Sequence, residues 1–257
     1  MGVLEQNRQP NQQGSQQEYR CCQPINLYDS PALTTLATQA AIARHLRLLA
    51  PPDPNATAIL VCLCEDDYPG WMSPQSLDDL QPSDTLYQAP IWTAAAIGDR
   101  LPQVMAYLQA AMAQPNYYQW GGTIGPSYDC SGLMQAAFQS VGIWLPRDAY
   151  LQEPFTHPIP LDQLQLGDLI FFGPPERANH VAFYLGHGQY IHSSGKAIGR
   201  NGIGIDYLFR AGDNPPTDNA ISQTYFQQIH GAGRVVSSYQ PTGEPMKAIA
   251  IEPPNHG

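Results

Sequence analysis

A run of about 18 apolar residues, the length a helix needs to cross a bilayer, is missing from all 257 residues of this chain, which excludes a helical membrane span. The opening Met1-Gly2-Val3-Leu4-Glu5-Gln6 also lacks the apolar core of a secretory leader, so a cytoplasmic protein is expected. Met1-Gly2 has no Ser or Thr at position 6 to complete an acylation signal. Charge is scarce, at 13% of residues, and basic charge scarcer, with 12 Lys and Arg against 22 Asp and Glu. A net charge of −10 has the wrong sign for a nucleic acid or anionic membrane partner. The five cysteines are few and oddly spaced. Cys21-Cys22 are adjacent and Cys62 and Cys64 alternate, which matches neither a secreted disulfide framework nor a CxxC zinc pair. A reducing compartment suits them. What the chain has in quantity is 25 prolines and 22 glycines, the mark of many short strands joined by turns.

The organisation follows from shifts along the chain. Residues 1–18, rich in Gln and Asn and without an apolar period, are expected to be a disordered lead. Residues 19–87 hold short strands bounded by Pro and Gly, among them Ile25–Tyr28, Ala58–Leu63 and a strand after Tyr68-Pro69-Gly70, and predict a small β-barrel. A linker over 88–98 leads to a second domain over 99–239, followed by a tail over 240–257. In that domain, helices near Leu101–Leu108 and Cys130–Val141 come first. An irregular stretch over 142–163 follows, and then strands at Asp168–Phe172, His180–Leu185, Tyr190–Ser193 and Gly233–Ser237. Helices followed by an antiparallel sheet make an α+β layout.

The chemistry centres on Asp129-Cys130-Ser131-Gly132. Apolar residues at 133, 134, 137, 138 and 141 fit a helical period, with Asp129 as the N-cap and Cys130 in the first turn. There, unpaired N–H groups and the helix dipole favour a thiolate. A buried, inert cysteine capping a core helix is the competing reading. The balance shifts because His180 starts one strand and His192 follows the Gly186-His187-Gly188-Gln189 turn on the next. Neighbouring antiparallel strands bring such residues within reach. With the cysteine helix packed on that sheet, the three form a nucleophile, a base and an orienting group. A Cys/His/His zinc set is an alternative, but it leaves the helix-start position of Cys130 unexplained.

Five motifs occur in order: Tyr118-Gln119-Trp120-Gly121-Gly122, Asp129-Cys130-Ser131-Gly132, Leu166-Gly167-Asp168-Leu169-Ile170-Phe171-Phe172, Asn179-His180-Val181-Ala182-Phe183-Tyr184-Leu185-Gly186, and Ile191-His192-Ser193-Ser194. Together they resemble the NlpC-type bacterial cell-wall cysteine peptidases, which have a papain-like core. The strand, Asp66-Asp67-Tyr68-Pro69-Gly70-Trp71, strand order resembles bacterial SH3-like domains. The resemblance implies Cys130 as nucleophile, His180 as base, His192 as its orienter and Tyr118 as a hydroxyl aimed at the oxyanion, with Asp129 and Ser131 lining the groove. It implies a murein stem peptide, L-Ala-γ-D-Glu-diamino acid, cut after γ-D-glutamyl, and it calls for no cofactor and no metal. An SH3-like domain fused to such a core, without a secretory leader, is similar to members that trim free murein peptides inside the cell and require a free N-terminal L-Ala. Glu65, Asp66 and Tyr68, from the cluster Glu65-Asp66-Asp67-Tyr68, are the expected partners of its ammonium group. An amidase or acyltransferase on the same core, and a non-catalytic peptidoglycan-binding module, are the competing functions.

Overall fold

The computed structural model describes residues 17–51, 53–208 and 220–246. The expected lead up to residue 16 and the last part of the tail therefore lie outside the described residues. Strands β1 (Glu18–Cys21), β2 (Ile25–Tyr28), β3 (Leu36–Ala40), β4 (His45–Leu48), β5 (Ile59–Leu63), β6 (Pro69–Met72) and β7 (Leu80–Pro82) form a seven-stranded antiparallel sheet in the order β3-β2-β6-β5-β4-β1-β7. Alternation drives it: Ile25 and Leu27 are buried while Asn26 between them is exposed, and Leu46, Val61, Leu63 and Met72 complete the same core.

A closed barrel is not found, because β3 and β7 stay as unpaired edges among the described residues. At β3 the reason is specific. The Gln39 N–H donates to Thr123 Oγ1 at 3.3 Å, and the Thr123 hydroxyl donates to the Gln39 carbonyl at 2.9 Å. The edge groups that would have closed a barrel are satisfied by the second half of the chain instead.

That half begins with α1 (Ala94–Gly98) and α2 (Leu101–Met112), whose Pro102 sits in the first turn, where a missing N–H costs little. After these come α3 (Cys130–Gln139), α4 (Ala149–Phe155) and β8 (His157–Pro158), then β9 (Leu169–Phe172), β10 (His180–Gly186), β11 (Gln189–Ser194), β12 (Gly202–Tyr207), α5 (Ala220–Phe226) and β13 (Ile229–Arg234). The strands form a six-stranded antiparallel sheet in the order β12-β11-β10-β9-β13-β8. Helix α3 is buried from Cys130 to Phe138, and Phe138 lies 6.2 Å from Phe183 of β10. Truncating such a ring to Ala typically costs about 3–5 kcal/mol, so the cysteine helix is rigidly seated.

Three elements depart from expectation. The stretch over 142–163 contains α4, and the last strand begins earlier than Gly233. Strand β12 lies in what reads as an irregular insertion, since Gly202-Ile203-Gly204-Ile205 dilutes strand propensity with glycine. Pairing of every residue of β12 with β11 overrides that weakness. Two buried bonds then tie the halves together. Gln135 Nε2 of α3 donates to Asp66 Oδ2 at 2.8 Å, and Arg147 Nε donates to Thr38 Oγ1 of β3 at 2.9 Å.

Candidate active site

The start of α3 is built by its own sequence. Asp129 caps it, with Oδ1 accepting the Gly132 N–H at 2.6 Å and Oδ2 accepting the Gly121 N–H at 2.9 Å. Gly132 is needed because a Cβ there would run into the Gly122 carbonyl, which explains why the Trp120-Gly121-Gly122 turn and the Cys130 turn must both be glycine-bearing. The guanidinium of Arg147, buried to 1% exposure, pairs with both Asp129 oxygens and bonds Ser131 Oγ at 3.0 Å. Asp129 and Ser131 line the cavity, but their polar atoms are committed to Arg147 and hold the helix start in place.

Cys130 Sγ lies 3.9 Å from the Asn179 carbonyl oxygen and is within hydrogen-bonding reach of the Val181 N–H, the backbone groups on either side of His180. From His180 a chain of rings runs inward. His180 Nε2 is 2.7 Å from His192 Nδ1, and His192 Nε2 is 2.8 Å from Asp206 Oδ2. Tyr225 of α5 stacks on His180 at 4.4 Å between centroids. Cys130 and His180 open onto a cavity of about 600 Å³. One wall comes from the NlpC-like half, with Tyr118 and Trp120. The first sheet and its turns line the cavity as well, with Asp29, Leu36, Tyr68 and Trp71. Asp148, Tyr150 and Arg177 also line it.

Residues 115–228 match the NlpC/P60 family, and residues 27–77 match the bacterial dipeptidyl-peptidase Sh3 domain. A probable endopeptidase of Corynebacterium glutamicum (strain R) is 30% identical over 150 residues, which span 54% of this chain and 70% of that protein. The chain belongs to the NlpC/P60 family. The gamma-D-glutamyl-L-lysine dipeptidyl-peptidase of Bacillus subtilis (strain 168) is 42% identical over 86 residues, 32% of this chain. This match covers only 29% of the Bacillus protein's length. An NlpC/P60 family protein from Bacillus cereus superposes with a TM-score of 0.43 and 23% identity, over 86% of this chain and 64% of that one.

Within this NlpC/P60 site, burial dominates the electrostatics. It pushes the Cys130 thiol up to about 12, with Asp129 adding to the rise, against the N–H groups of Val181 and Ser131 and the charge of Arg147. Burial and the neighbouring His192 hold His180 well below the usual imidazole range. The expected helix-start thiolate is thus disfavoured, because the cost of burying an anion outweighs the dipole. Thiol and imidazole rest as a neutral pair. Burial likewise raises the Tyr118 phenol well above its ordinary range, so it stays a hydrogen-bond donor at the cavity wall.

Of the residues expected to meet an ammonium group, only Tyr68 lines the cavity. Glu65 and Asp66 correct the reading. Glu65 accepts from Arg44 Nε at 3.2 Å and from the His45 N–H at 2.7 Å, and Asp66 accepts from Arg44 Nη2 at 2.8 Å. Both are buried in the seam between the halves, where Arg44 neutralises them. The carboxylate beside Tyr68 is instead Asp148, raised to about 6 by burial and hydrogen-bonded by Tyr68 and Tyr150. Its signal in the sequence is the Arg147-Asp148 pair within the otherwise nearly uncharged 142–152 stretch. Asp206 was missed with β12. Among the described residues, no group of three or more His, Cys, Asp or Glu is arranged to hold a metal ion.

Proposed function

We propose that this chain is a cysteine endopeptidase that cleaves the bond between γ-D-glutamate and a diamino acid in free murein peptides beginning with L-Ala, acting inside the cell. One observation supports the reading: Cys130 and His180 share a single cavity of about 600 Å³ that the SH3-like sheet also lines, a volume suited to the end of a free peptide. The name of the Bacillus relative, a gamma-D-glutamyl-L-lysine dipeptidyl-peptidase, agrees with it.

The chemistry follows from the resting neutral pair. The Cys130 S–H proton passes to His180 as sulfur bonds the γ-carbonyl carbon, and the carbonyl electrons move onto oxygen. The Tyr118 hydroxyl and the Cys130 N–H receive that oxyanion. His180 then gives its proton to the leaving amine as the C–N bond breaks. Water, deprotonated by His180, releases the thioacyl product and restores the thiol. His192 orients His180 throughout. In the same cavity, Asp148 with Tyr68 and Tyr150 suits the L-Ala ammonium, since a buried cation needs a carboxylate partner. Arg177 lies 4.9 Å over the Tyr150 ring and forms no ion pair among the described residues. Its guanidinium suits the free α-carboxylate that a γ-linked D-Glu retains.

The test is mass spectrometry of a murein peptide mixture after incubation with the purified protein. Release of L-Ala-γ-D-Glu is expected, and Cys130→Ala is expected to abolish it while leaving thermal stability within a few degrees. Turnover by the folded Ala variant would end the thiol mechanism.

A further inference from the structure

The ring chain does not stop at His192. Its far nitrogen meets Asp206, and three donors converge on that carboxylate. His192 Nε2 reaches Oδ2 at 2.8 Å, Arg200 Nη2 reaches the same oxygen, and Ser222 Oγ reaches Oδ1 at 2.8 Å. Ser222 Oγ also accepts the Tyr207 N–H at 3.1 Å, which leaves its hydrogen aimed at the carboxylate. The side chains of His192 and Asp206 are both 0% exposed, so water cannot substitute for any of these donors.

The Arg200 contact is built rather than incidental. In the β11–β12 register Gly204 stands opposite His192. A Cβ at 204 would collide with Arg200 Nη1. Gly204 is outside the positive-φ glycines, so what it supplies is room for a guanidinium rather than a turn. Gly199, at φ 101, and Asn201, at φ 67, fold the chain back so that Arg200 can lie across the strand toward Asp206.

We propose that Asp206, clamped by Arg200 and Ser222, is a positioning residue that sets the tautomers of His192 and His180 so that His180 turns an unprotonated nitrogen toward Cys130. The hydrogen count carries it. An ionised Asp206 only accepts, so His192 Nε2 carries a hydrogen and His192 Nδ1 is bare. His192 Nδ1 must then accept from His180 Nε2–H across their 2.7 Å contact. His180 Nδ1 is therefore bare and is the nitrogen left for the thiol proton. Burial by itself would raise the Asp206 carboxyl, but His192, Ser222 and Arg200 hold it below the usual range, so it accepts and takes no proton in the cycle. The other polar neighbours are Tyr190 and Tyr225, which pack edge-on to His192, with Tyr225 also stacked on His180. This inference rests on the thiol role of Cys130 but not on the identity of the peptide.

Two readouts on the full-length chain, both without peptide, test it. NMR of ¹⁵N-histidine-labelled protein reports each tautomer, and mass spectrometry of the Cys130 fragment after iodoacetamide treatment reports how readily the thiol gives up its proton. In the wild type, His180 and His192 are both expected as Nε2–H tautomers. Asp206→Ala should scramble them and slow alkylation at neutral pH by tenfold or more. Asp206→Asn, which keeps an accepting oxygen but no charge, should fall between. Gly204→Val, which evicts Arg200 without touching the carboxylate, should slow alkylation in the same direction by less. A folded Asp206→Ala or Asp206→Asn protein with wild-type tautomers and alkylation rate would overturn the proposal, even with a lowered Tm, since that is the outcome of a purely structural ion pair. If Asp206→Ala does not fold, the Asn and Gly204 variants decide. Altered tautomers in a protein that cuts no γ-D-glutamyl bond would uphold this inference and sink the substrate reading.

Discussion

Neutralising the Asp148 carboxylate in the cavity is the most informative perturbation. Asp148 titrates near 6, raised chiefly by burial, so at pH 7 it is mostly ionised and at pH 5 mostly protonated. A free L-Ala ammonium docked against it favours the ionised form, so substrate binding and proton release are linked. KM for a free-amine peptide should therefore rise as pH falls through about 6, approaching tenfold per unit at the limit for a single proton. Capping the amine by acetylation removes one partner of a desolvated charge pair, a loss of about 2–5 kcal/mol, or roughly 30-fold to a few thousandfold in kcat/KM. Asp148→Asn keeps the shape and removes the charge, so the capped and free peptides should converge and the KM dependence on pH should flatten. The assay is steady-state kinetics of L-Ala-γ-D-Glu-diaminopimelate and its N-acetyl form, on both proteins, between pH 5 and 8. Undiminished discrimination in Asp148→Asn would refute the assignment, as would equal cleavage of both peptides by the wild type.

Other outcomes follow from the same geometry. Because burial lowers the His180 pKa, the base stays unprotonated as pH falls below the usual imidazole range. The acid limb of kcat should thus lie below 6.5, and a normal solvent isotope effect should accompany acylation, since the thiol proton moves during attack. Arg177→Ala should cut kcat/KM about tenfold or more for peptides with a free α-carboxylate on D-Glu and hardly change it for the amidated D-isoglutamine form, measured side by side. Asp67 accepts the Thr242 N–H at 2.6 Å, and its carbonyl accepts the Met246 N–H at 2.8 Å, pinning residues 239–246 to the first sheet. Asp67→Ala removes hydrogen bonds to exposed and half-buried donors, at about 0.5–1.5 kcal/mol, so thermal unfolding should move down by about 1–6 °C.

Much of the site was legible in the chain because it depends on short-range physics. The helix after Asp129 follows from an N-cap and a 3.6-residue apolar period. The strands of His180 and His192 follow from dense apolar runs with a two-glycine turn between them. Placing Cys130 and the two rings needed little beyond these local rules. Charge was read less well, since a carboxylate's role depends on what stands beside it. Glu65-Asp66 looked like a solvent-facing acidic turn suited to an ammonium group. Only the folded chain brings Arg44 and Gln135 onto those oxygens and turns them into the seam between the halves.

The reverse held for Asp148 and Asp206. Neither stands out along the chain, and each acquires its role from a partner on another element, Tyr68 of the first half for Asp148 and His192 on the neighbouring strand for Asp206. The thiol's acidity likewise depended on depth. A helix start favours the anion anywhere, but how much water remains around Cys130 is set by the groups packed around it in the fold. Sequence alone thus determined which residues can react and which elements carry them, because periodicity, capping and turn chemistry act over a few residues. Tertiary structure alone decided which charges meet, which are dry and which nitrogen is bare, because pairing and desolvation are set by groups that separate elements bring together only in the folded chain.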